Sequence, residues 1–165
     1  MPETAVLLVC LGNICRSPTA EGVLRHRAAQ RGMAPLLRVD SAGTTGFHAG
    51  SPPDRRAEAA CRERGIQISG QRARQVELAD FERFDLLLAM DSNNLADLRR
   101  MAPPDRTDRV RLFLDFAPDL AGTDMPDPYY GGADGFTYCL NAAFQAADGL
   151  LDALEAGQHR PVKSA

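Results

Sequence analysis

The sequence lacks any apolar run of about 18 residues, the length that suggests a membrane-spanning helix. Its first residues, Met-Pro-Glu-Thr, lack the basic start of a secretory signal peptide. The chain has only 4 cysteines in 165 residues, which does not suggest a domain held together by disulfides. We therefore expect a protein that does not insert into membranes and that keeps its thiols reduced in the cytoplasm.

Excess positive charge is also missing. The formal net charge is −3 at neutral pH, whereas domains that bind nucleic acid are normally basic, so no nucleic-acid partner is expected. The three histidines, His26, His48 and His159, have no spacing typical of metal ligands. We expect neither a metal ion nor another cofactor. Only Lys163 is a lysine among 19 basic residues, a bias associated with GC-rich bacterial genomes.

The length and composition suit one compact domain. Hydrophobic residues make up 44% and charged residues 25% of the chain, as in ordinary globular proteins. We expect residues 1–157 to form this domain, residues 158–165 to be a flexible tail, and the protein to be a monomer.

Residues 10–17 carry the most informative motif, Cys-Leu-Gly-Asn-Ile-Cys-Arg-Ser, and follow the apolar run 5–9. A strand that ends in a thiol, followed by a five-residue loop, an arginine and Ser-Pro at a helix start, predicts a phosphate-binding loop. The backbone N–H groups of such a loop and the helix N-terminus favour a bound anion. The predicted phosphate-binding residues are Leu11, Gly12, Asn13, Ile14, Cys15, Arg16 and Ser17.

Two side chains of this loop carry the predicted chemistry. Arg16 can hold two phosphate oxygens with its planar guanidinium group. The positive field of the loop also favours the thiolate form of Cys10, which is the nucleophilic form. A lone cysteine at a strand end is more often an inert packing residue, but the arginine six positions later favours the phosphate-loop interpretation. A nucleoside-triphosphate loop would need Gly-Lys-Ser/Thr before its helix, which is missing here.

Alternating apolar and amphipathic segments predict an α/β fold. Continuous apolar strands are typical of a parallel sheet that is covered on both faces. We expect a single-domain, four-stranded parallel sheet, doubly wound with helices on both faces, and the active site at the carboxyl end of the first strand. The expected strands are 4–10, 36–40, 85–89 and 110–114, and the expected helices are 17–30, 54–64, 77–83, 91–102 and 134–156.

Residues with capping preferences set the expected helix ends. Ser17 is a typical N-cap and Pro18 a typical first helical residue. Asp54 is the expected cap of the second helix. Gly32 and Gly65 are expected to end the first and second helices.

Asp127 is the second candidate catalytic residue. An Asp-Pro pair alone is a common turn. The carboxyl ends of parallel strands share one edge of the sheet, however, so the loop that contains Asp127 can lie beside Cys10. There the carboxyl group could donate a proton to a departing oxygen.

The motifs together resemble the low-molecular-weight protein tyrosine phosphatases. The loop at 9–18 resembles their active-site loop, and further matching segments follow in the family's order at 40–44, 50–56, 73–75, 89–93 and 127–130. The resemblance implies hydrolysis of phosphotyrosine and aryl phosphate monoesters through a phosphocysteine intermediate. Cys10 would attack phosphorus, Arg16 would hold the oxygens, and Asp127 would act first as an acid and then as a base.

Several residues have expected supporting roles. Asn13 tolerates the left-handed backbone that a tight loop requires, and the resemblance implies that it anchors the loop to Ser41. Ser17 acts either as a helix cap alone or also through a hydroxyl directed at the Cys10 sulfur. Cys15 is either a packing residue or a second thiol that traps oxidised Cys10 as a disulfide.

The substrate pocket is expected to have aromatic walls made by Phe47, Tyr129 and Tyr130. A pocket deep enough for a phenolic ester would exclude the shorter phosphoserine. This sequence has Phe47 where many relatives have tryptophan or tyrosine, and Gln71 where some have histidine.

The expected partner is a phosphotyrosine protein, and a tyrosine kinase is one candidate. Two other functions stay open at this point. A thiol-dependent arsenate reductase on the same scaffold would need relay cysteines. Cys61 and Cys139 lie outside any evident paired-cysteine segment, which argues against this function. A non-catalytic phosphate-binding module would be expected to have lost Cys10, Arg16 or Asp127, which are all present.

Overall fold

Four parallel strands form one sheet in the computed structural model, which describes residues 3–157. The strands are β1 (Thr4–Cys10), β2 (Leu37–Gly43), β3 (Leu86–Ala89) and β4 (Val110–Leu112). Their order in the sheet is β2-β1-β3-β4, so the chain moves to one side of β1 and then crosses to the other. Ligands bind at such reversal points in open α/β sheets. The predicted fold class is confirmed, and the carboxyl end of β1 lies at the reversal point.

Helices cover both faces of this sheet. They are α1 (Arg16–Gln30), α2 (Arg55–Glu63), α3 (Asp80–Arg83), α4 (Ser92–Met101) and α5 (Ala133–Glu155). Val6 and Leu8 of β1 pack on the face that α1 and α5 cover, whereas Leu7 and Val9 pack with residues of α3 and α4. Every residue of β1 is buried, which explains its uninterrupted apolar run.

Some predicted boundaries were wrong. β2 continues to Gly43 because Gly43 pairs with Cys10 and its N–H donates to the Arg74 carbonyl oxygen. The fourth strand ends at Leu112 because Phe113–Phe116 forms a 3-10 helix. Two more 3-10 helices span Ala34–Leu36 and Pro104–Arg109. The short predicted helix at 77–83 is reduced to α3.

The expected helix ends were correct except at the start of α1. Asp54 caps α2 by accepting a hydrogen bond from the Arg56 N–H at 2.8 Å. Gly32 and Gly65 have φ values of 70° and 76°, a conformation that favours glycine after a helix. The prediction that Ser17 caps α1 was wrong, since α1 begins at Arg16 and Cys15 occupies the cap position without a side-chain hydrogen bond.

The predicted tail, residues 158–165, lies outside the described residues. Within residues 3–157, no helix has both the length and the apolar character needed to cross a lipid bilayer.

The contact between α5 and Phe113–Phe116 depends on Gly149. A Cβ atom at this position would lie 1.8 Å from the Phe116 carbonyl oxygen, which belongs to the backbone. We therefore predict that Gly149→Ala lowers the free energy of unfolding by about 2–4 kcal/mol, measured by denaturant titration. Gly70→Ala is the control, because a Cβ atom at Gly70 would have no neighbour within 4 Å. Equal stability of the two variants would contradict this packing.

Candidate active site

A cavity of about 440 Å³ lies at the carboxyl end of β1. Cys10 is only 3% exposed, so its sulfur lies at the floor of this cavity rather than at its rim. The cavity is not lined by three buried residues that the sequence predicted for the site, which are Asn13, Ser17 and Ser41. The lining residues are Cys10, Leu11, Gly12, Ile14, Cys15, Arg16, Phe47, His48, Asp127, Tyr129 and Tyr130.

The Cys10 sulfur has two hydrogen-bonding partners. The Asn13 N–H donates to Sγ at 3.2 Å, and the Ser17 Oγ lies 3.1 Å from Sγ. The Asn13 Nδ2 donates to this same Ser17 Oγ at 2.8 Å, which leaves the Ser17 hydroxyl hydrogen free to point at the sulfur. Both partners therefore stabilise negative charge on Sγ. This contact also explains why Ser17 does not cap α1.

Asn13 holds the loop with its backbone and its side chain. Its φ is 58°, the only positive value of a non-glycine residue within residues 3–157. Its Nδ2 donates to the Ser41 Oγ at 3.0 Å, as the family resemblance implies. Its Oδ1 accepts a hydrogen bond from the Arg74 N–H at 3.0 Å. In this turn the N–H groups of Gly12, Ile14 and Cys15 donate to no acceptor within the described part of the chain.

Glu21 completes this network and was not expected from the sequence. Its carboxylate accepts a hydrogen bond from the Ser41 Oγ at 2.8 Å and another from the Arg25 Nε at 3.1 Å. Burial raises the pKa of the Glu21 carboxyl above its usual value, against the opposing effects of Ser41 and Arg25. The available signal was a glutamate four residues after Ser17, on the helix face that carries the site.

Gln71 also contacts the start of α1. Its Nε2 donates to the Pro18 carbonyl oxygen at 3.0 Å, and its Oε1 lies 3.5 Å from the Ser41 Oγ. The glutamine therefore contacts both the start of α1 and the serine that holds Asn13.

Arg16 is buried and held in a fixed orientation. Its Nη1 donates to the Asp91 Oδ2 at 2.6 Å and to the Met125 carbonyl oxygen at 2.9 Å. Burial alone would lower the pKa of Arg16, but the neighbouring Cys10 and Asp91 raise it above its usual value, so the guanidinium stays charged. Asp91 has two roles: it caps α4 by accepting a hydrogen bond from the Asn94 N–H, and it orients Arg16.

Asp127 lines the same cavity as Arg16. Its Oδ2 is 3.7 Å from the Arg16 Nη2, and its side chain is 41% exposed. Its Oδ1 accepts a hydrogen bond from the Tyr129 N–H at 3.1 Å. The structure thus brings together Cys10, Arg16 and Asp127, although Asp127 is more than 100 residues from the other two in the sequence.

The aromatic residues predicted as pocket walls lie at the cavity mouth. Phe47 and Tyr130 are 85% and 94% exposed, so they are not core residues. Tyr129 packs edge-on against Tyr130, with ring centroids 4.9 Å apart.

His48 also lines the cavity, and its ring lies close to Gly12. A Cβ atom at Gly12 would be 2.9 Å from the His48 Cδ2. No motif in the sequence marks His48 as a cavity residue.

The other cysteines differ from Cys10 in their surroundings. All four are free thiols, and Cys61 and Cys139 are buried. Burial raises the pKa of Cys61 to about 11 and that of Cys139 to about 12. Cys15 lines the cavity, and burial, with the nearby Asp54 carboxylate, raises its pKa too. Its two expected roles, a packing residue or a thiol that forms a disulfide with oxidised Cys10, both stay predictions. Within residues 3–157, no group of histidine, cysteine and acidic side chains could hold a metal ion.

Comparison with known proteins gives the family of this chain. The family model for low molecular weight phosphotyrosine protein phosphatase matches residues 5–160. A low molecular weight protein-tyrosine-phosphatase of Streptomyces coelicolor is 46% identical, covering 90% of this chain and 92% of the relative. The chain belongs to this family. The resemblance noted in the sequence is confirmed, and the protein is a cysteine-dependent protein tyrosine phosphatase.

Solved structures of this phosphatase family have the same fold. YfkJ from Bacillus subtilis superposes with a TM-score of 0.89 at 37% identity, covering 96% of this chain and 98% of the other. A protein tyrosine phosphatase from Entamoeba histolytica, with Hepes in its active site, gives a TM-score of 0.91 at 35% identity. That superposition covers 94% of this chain and 99% of the other.

The surroundings of the thiols predict selective alkylation of the phosphatase. At neutral pH a thiol with a pKa near 11 is ionised in only about one molecule in 10⁴. We expect iodoacetate to label Cys10 first and inorganic phosphate to slow that labelling, with peptide mass spectrometry as the measurement. Cys61 and Cys139 should react only as the pH rises toward 11–12 or as the protein unfolds. Preferential labelling of Cys61 or Cys139 in the native phosphatase at neutral pH would contradict the assignment of Cys10 as the reactive thiol.

Two substitutions at Asn13 separate its backbone role from its side-chain role. Asn13→Gly keeps the left-handed conformation, whereas Asn13→Ala strains it by about 1–2 kcal/mol. We predict that the glycine variant of the phosphatase unfolds at higher denaturant concentration than the alanine variant. Both should lose phosphatase activity to a similar degree, because both lack the hydrogen bonds to Ser17 and Ser41. Full activity of Asn13→Gly would show that the backbone conformation alone is sufficient.

Proposed function

We propose that Cys10, Arg16 and Asp127 carry the phosphatase reaction and that the substrate is phosphotyrosine in proteins. One observation supports this assignment above the others. The sulfur that accepts two hydrogen bonds lies in the same cavity as the Asp127 carboxylate and the charged Arg16. A nucleophile, an anion-binding group and a proton donor are the three parts that a phosphate monoester hydrolase requires.

In the first step, the Cys10 thiolate attacks phosphorus and the bond between phosphorus and the phenolic oxygen breaks. The unpartnered loop N–H groups and Arg16 bind the three non-bridging oxygens, whose charge they stabilise in the transition state. Asp127, protonated at this point, donates its proton to the departing oxygen. The products of this step are a phosphocysteine and the tyrosine side chain.

In the second step, the Asp127 carboxylate removes a proton from a water molecule that attacks phosphorus. The bond between sulfur and phosphorus breaks, and the sulfur leaves as a thiolate. The Ser17 hydroxyl and the Asn13 N–H, which both contact Sγ, stabilise this leaving group. Inorganic phosphate is released, and the enzyme returns to its starting form.

The depth of the cavity supports the proposed substrate. Cys10 is almost fully buried, while Phe47 and Tyr130 stand exposed at the mouth. A phosphate on a phenolic ring extends far enough to meet the sulfur while the ring contacts these aromatic side chains. Phosphoserine is shorter and has no ring, so it would reach the sulfur poorly.

The remaining assignments belong to the same proposal. Phosphotyrosine proteins, with a tyrosine kinase among them, are the proposed partners. The cytoplasm is the proposed compartment, because Cys10 must stay reduced to act. Residues 1–157 are the proposed phosphatase domain, acting as a monomer. Arsenate reduction is disfavoured because Cys61 and Cys139 are buried and do not line the cavity, so neither is placed as a relay thiol.

Two substitutions test the assignment. We expect Cys10→Ser to abolish hydrolysis of p-nitrophenyl phosphate and of a phosphotyrosine peptide, because the covalent route is lost. We expect Asp127→Ala to lower kcat/KM for the peptide by about 10²–10⁴-fold. Asp134→Ala removes an exposed carboxylate outside the cavity and serves as the control. Activity that survives Cys10→Ser, or an Asp127→Ala variant as active as the control, would refute the assignment.

A further inference from the structure

The loop that carries Asp127 receives few hydrogen bonds from the rest of the molecule. We call residues 127–131 the acid loop. Its internal hydrogen bonds join the Tyr129 N–H to the Asp127 carboxylate and the Gly131 N–H to the Pro128 carbonyl oxygen. Within the described residues, only one hydrogen bond reaches it from outside, from the Arg56 Nη2 to the Tyr129 carbonyl oxygen at 3.0 Å.

Arg56 is itself held in place by Asp54. Its Nε lies 3.1 Å from the Asp54 Oδ1 and its Nη2 lies 3.0 Å from the Oδ2, a two-point contact that fixes the guanidinium plane. The hydrogen bond from Arg56 keeps the pKa of Asp54 below its usual value, so the pair stays charged at neutral pH. Arg56 therefore reaches the acid loop from a defined position at the start of α2.

The same pair is tied to the phosphate-binding loop. The Asp54 N–H donates to the Ile14 carbonyl oxygen at 2.8 Å. The Arg56 guanidinium also lies 5.6 Å from the centre of the Tyr129 ring and 4.7 Å from that of Phe136, both within cation–π range. Asp54 and Arg56 thus connect the loop that holds the nucleophile to the loop that holds the proposed acid.

We propose that Arg56 is a positioning residue, which holds the acid loop over the phosphate-binding loop and so aligns Asp127 with the departing oxygen. This inference rests on the proposed role of Asp127. Arg56 does not line the cavity, so it acts through the loop and not on the substrate. The Arg56 side chain is 45% exposed, and an ion pair made by an exposed side chain adds little to overall stability. The main consequence of losing Arg56 should therefore be a misplaced acid.

A misplaced acid has a signature in the leaving group. Protonation matters most when the departing oxygen is strongly basic, as in tyrosine with a phenol pKa of about 10. It matters less for p-nitrophenol, a much weaker base. Loss of Arg56 should therefore reduce kcat/KM for phosphotyrosine more than kcat/KM for p-nitrophenyl phosphate. The ratio of the two values does not depend on how much of the enzyme is folded.

The experiment measures this ratio in Arg56→Ala and Arg56→Lys, each with and without Asp127→Ala. Arg55→Ala is the matched control, because it removes the same charge from the preceding position of α2, which forms no hydrogen bond or ion pair with the acid loop in the described part of the chain. We expect Arg56→Ala to lower the ratio by about tenfold, a fraction of what the acid contributes. Arg56→Lys should lower it less, since it keeps the charge but not the two-point contact. Arg55→Ala should leave it unchanged.

The Asp127→Ala background separates the two claims. If Asp127 is the acid and Arg56 acts through it, Asp127→Ala alone lowers the ratio, and adding Arg56→Ala lowers it no further. An unchanged ratio in Arg56→Ala, beside a lowered ratio in Asp127→Ala, would overturn the role of Arg56 alone. A further fall in the double variant, or an equal fall in Arg55→Ala, would also overturn it. An unchanged ratio in Asp127→Ala would overturn the proposed acid, and the Arg56 inference with it.

Discussion

The hydrogen bonds received by the Cys10 sulfur are the contact on which the rest of the site depends. The Asn13 N–H can reach Sγ only because the backbone at Asn13 is left-handed, and the Ser17 hydroxyl points at Sγ because Asn13 occupies its acceptor position. The Arg74 N–H and the Glu21 carboxylate hold the two ends of this network. One amide side chain thereby sets both the shape of the anion site and the direction of the hydroxyl group at the nucleophile.

The fold holds this network without using the substrate. β1 is buried along its whole length, so the position of Cys10 is set by the core, and the chain reversal beside β1 leaves room above it. Asp91, which follows β3, holds Arg16 from the other side through a 2.6 Å contact. The acid loop is different, because Arg56 supplies its single external hydrogen bond within residues 3–157. A nucleophile whose loop is held by several hydrogen bonds is thus paired with an acid loop that receives one from outside.

Short-range signals in the sequence predicted what depends on neighbouring residues. The apolar runs predicted four parallel strands, Asp54 and the two glycines predicted helix ends, and the motif at 10–17 predicted the loop. The Ser17 cap was wrong because the hydroxyl contacts the sulfur, and a capping preference describes only the local backbone. Glu21, His48 and Arg56 were missed for a related reason. Each of them contacts a residue of another element, and only the spacing of Glu21 from Ser17 gave a local signal.

The central claim is that the Cys10 sulfur becomes covalently bonded to phosphorus during turnover. Acid-quenching a reaction with a phosphotyrosine peptide within the first turnover, followed by peptide mass spectrometry, measures this directly. A phosphoryl group on the peptide that contains Cys10, absent from Cys10→Ser, is the expected result. A phosphoryl group on any other side chain, or rapid turnover with no protein-bound phosphoryl group, would contradict the claim.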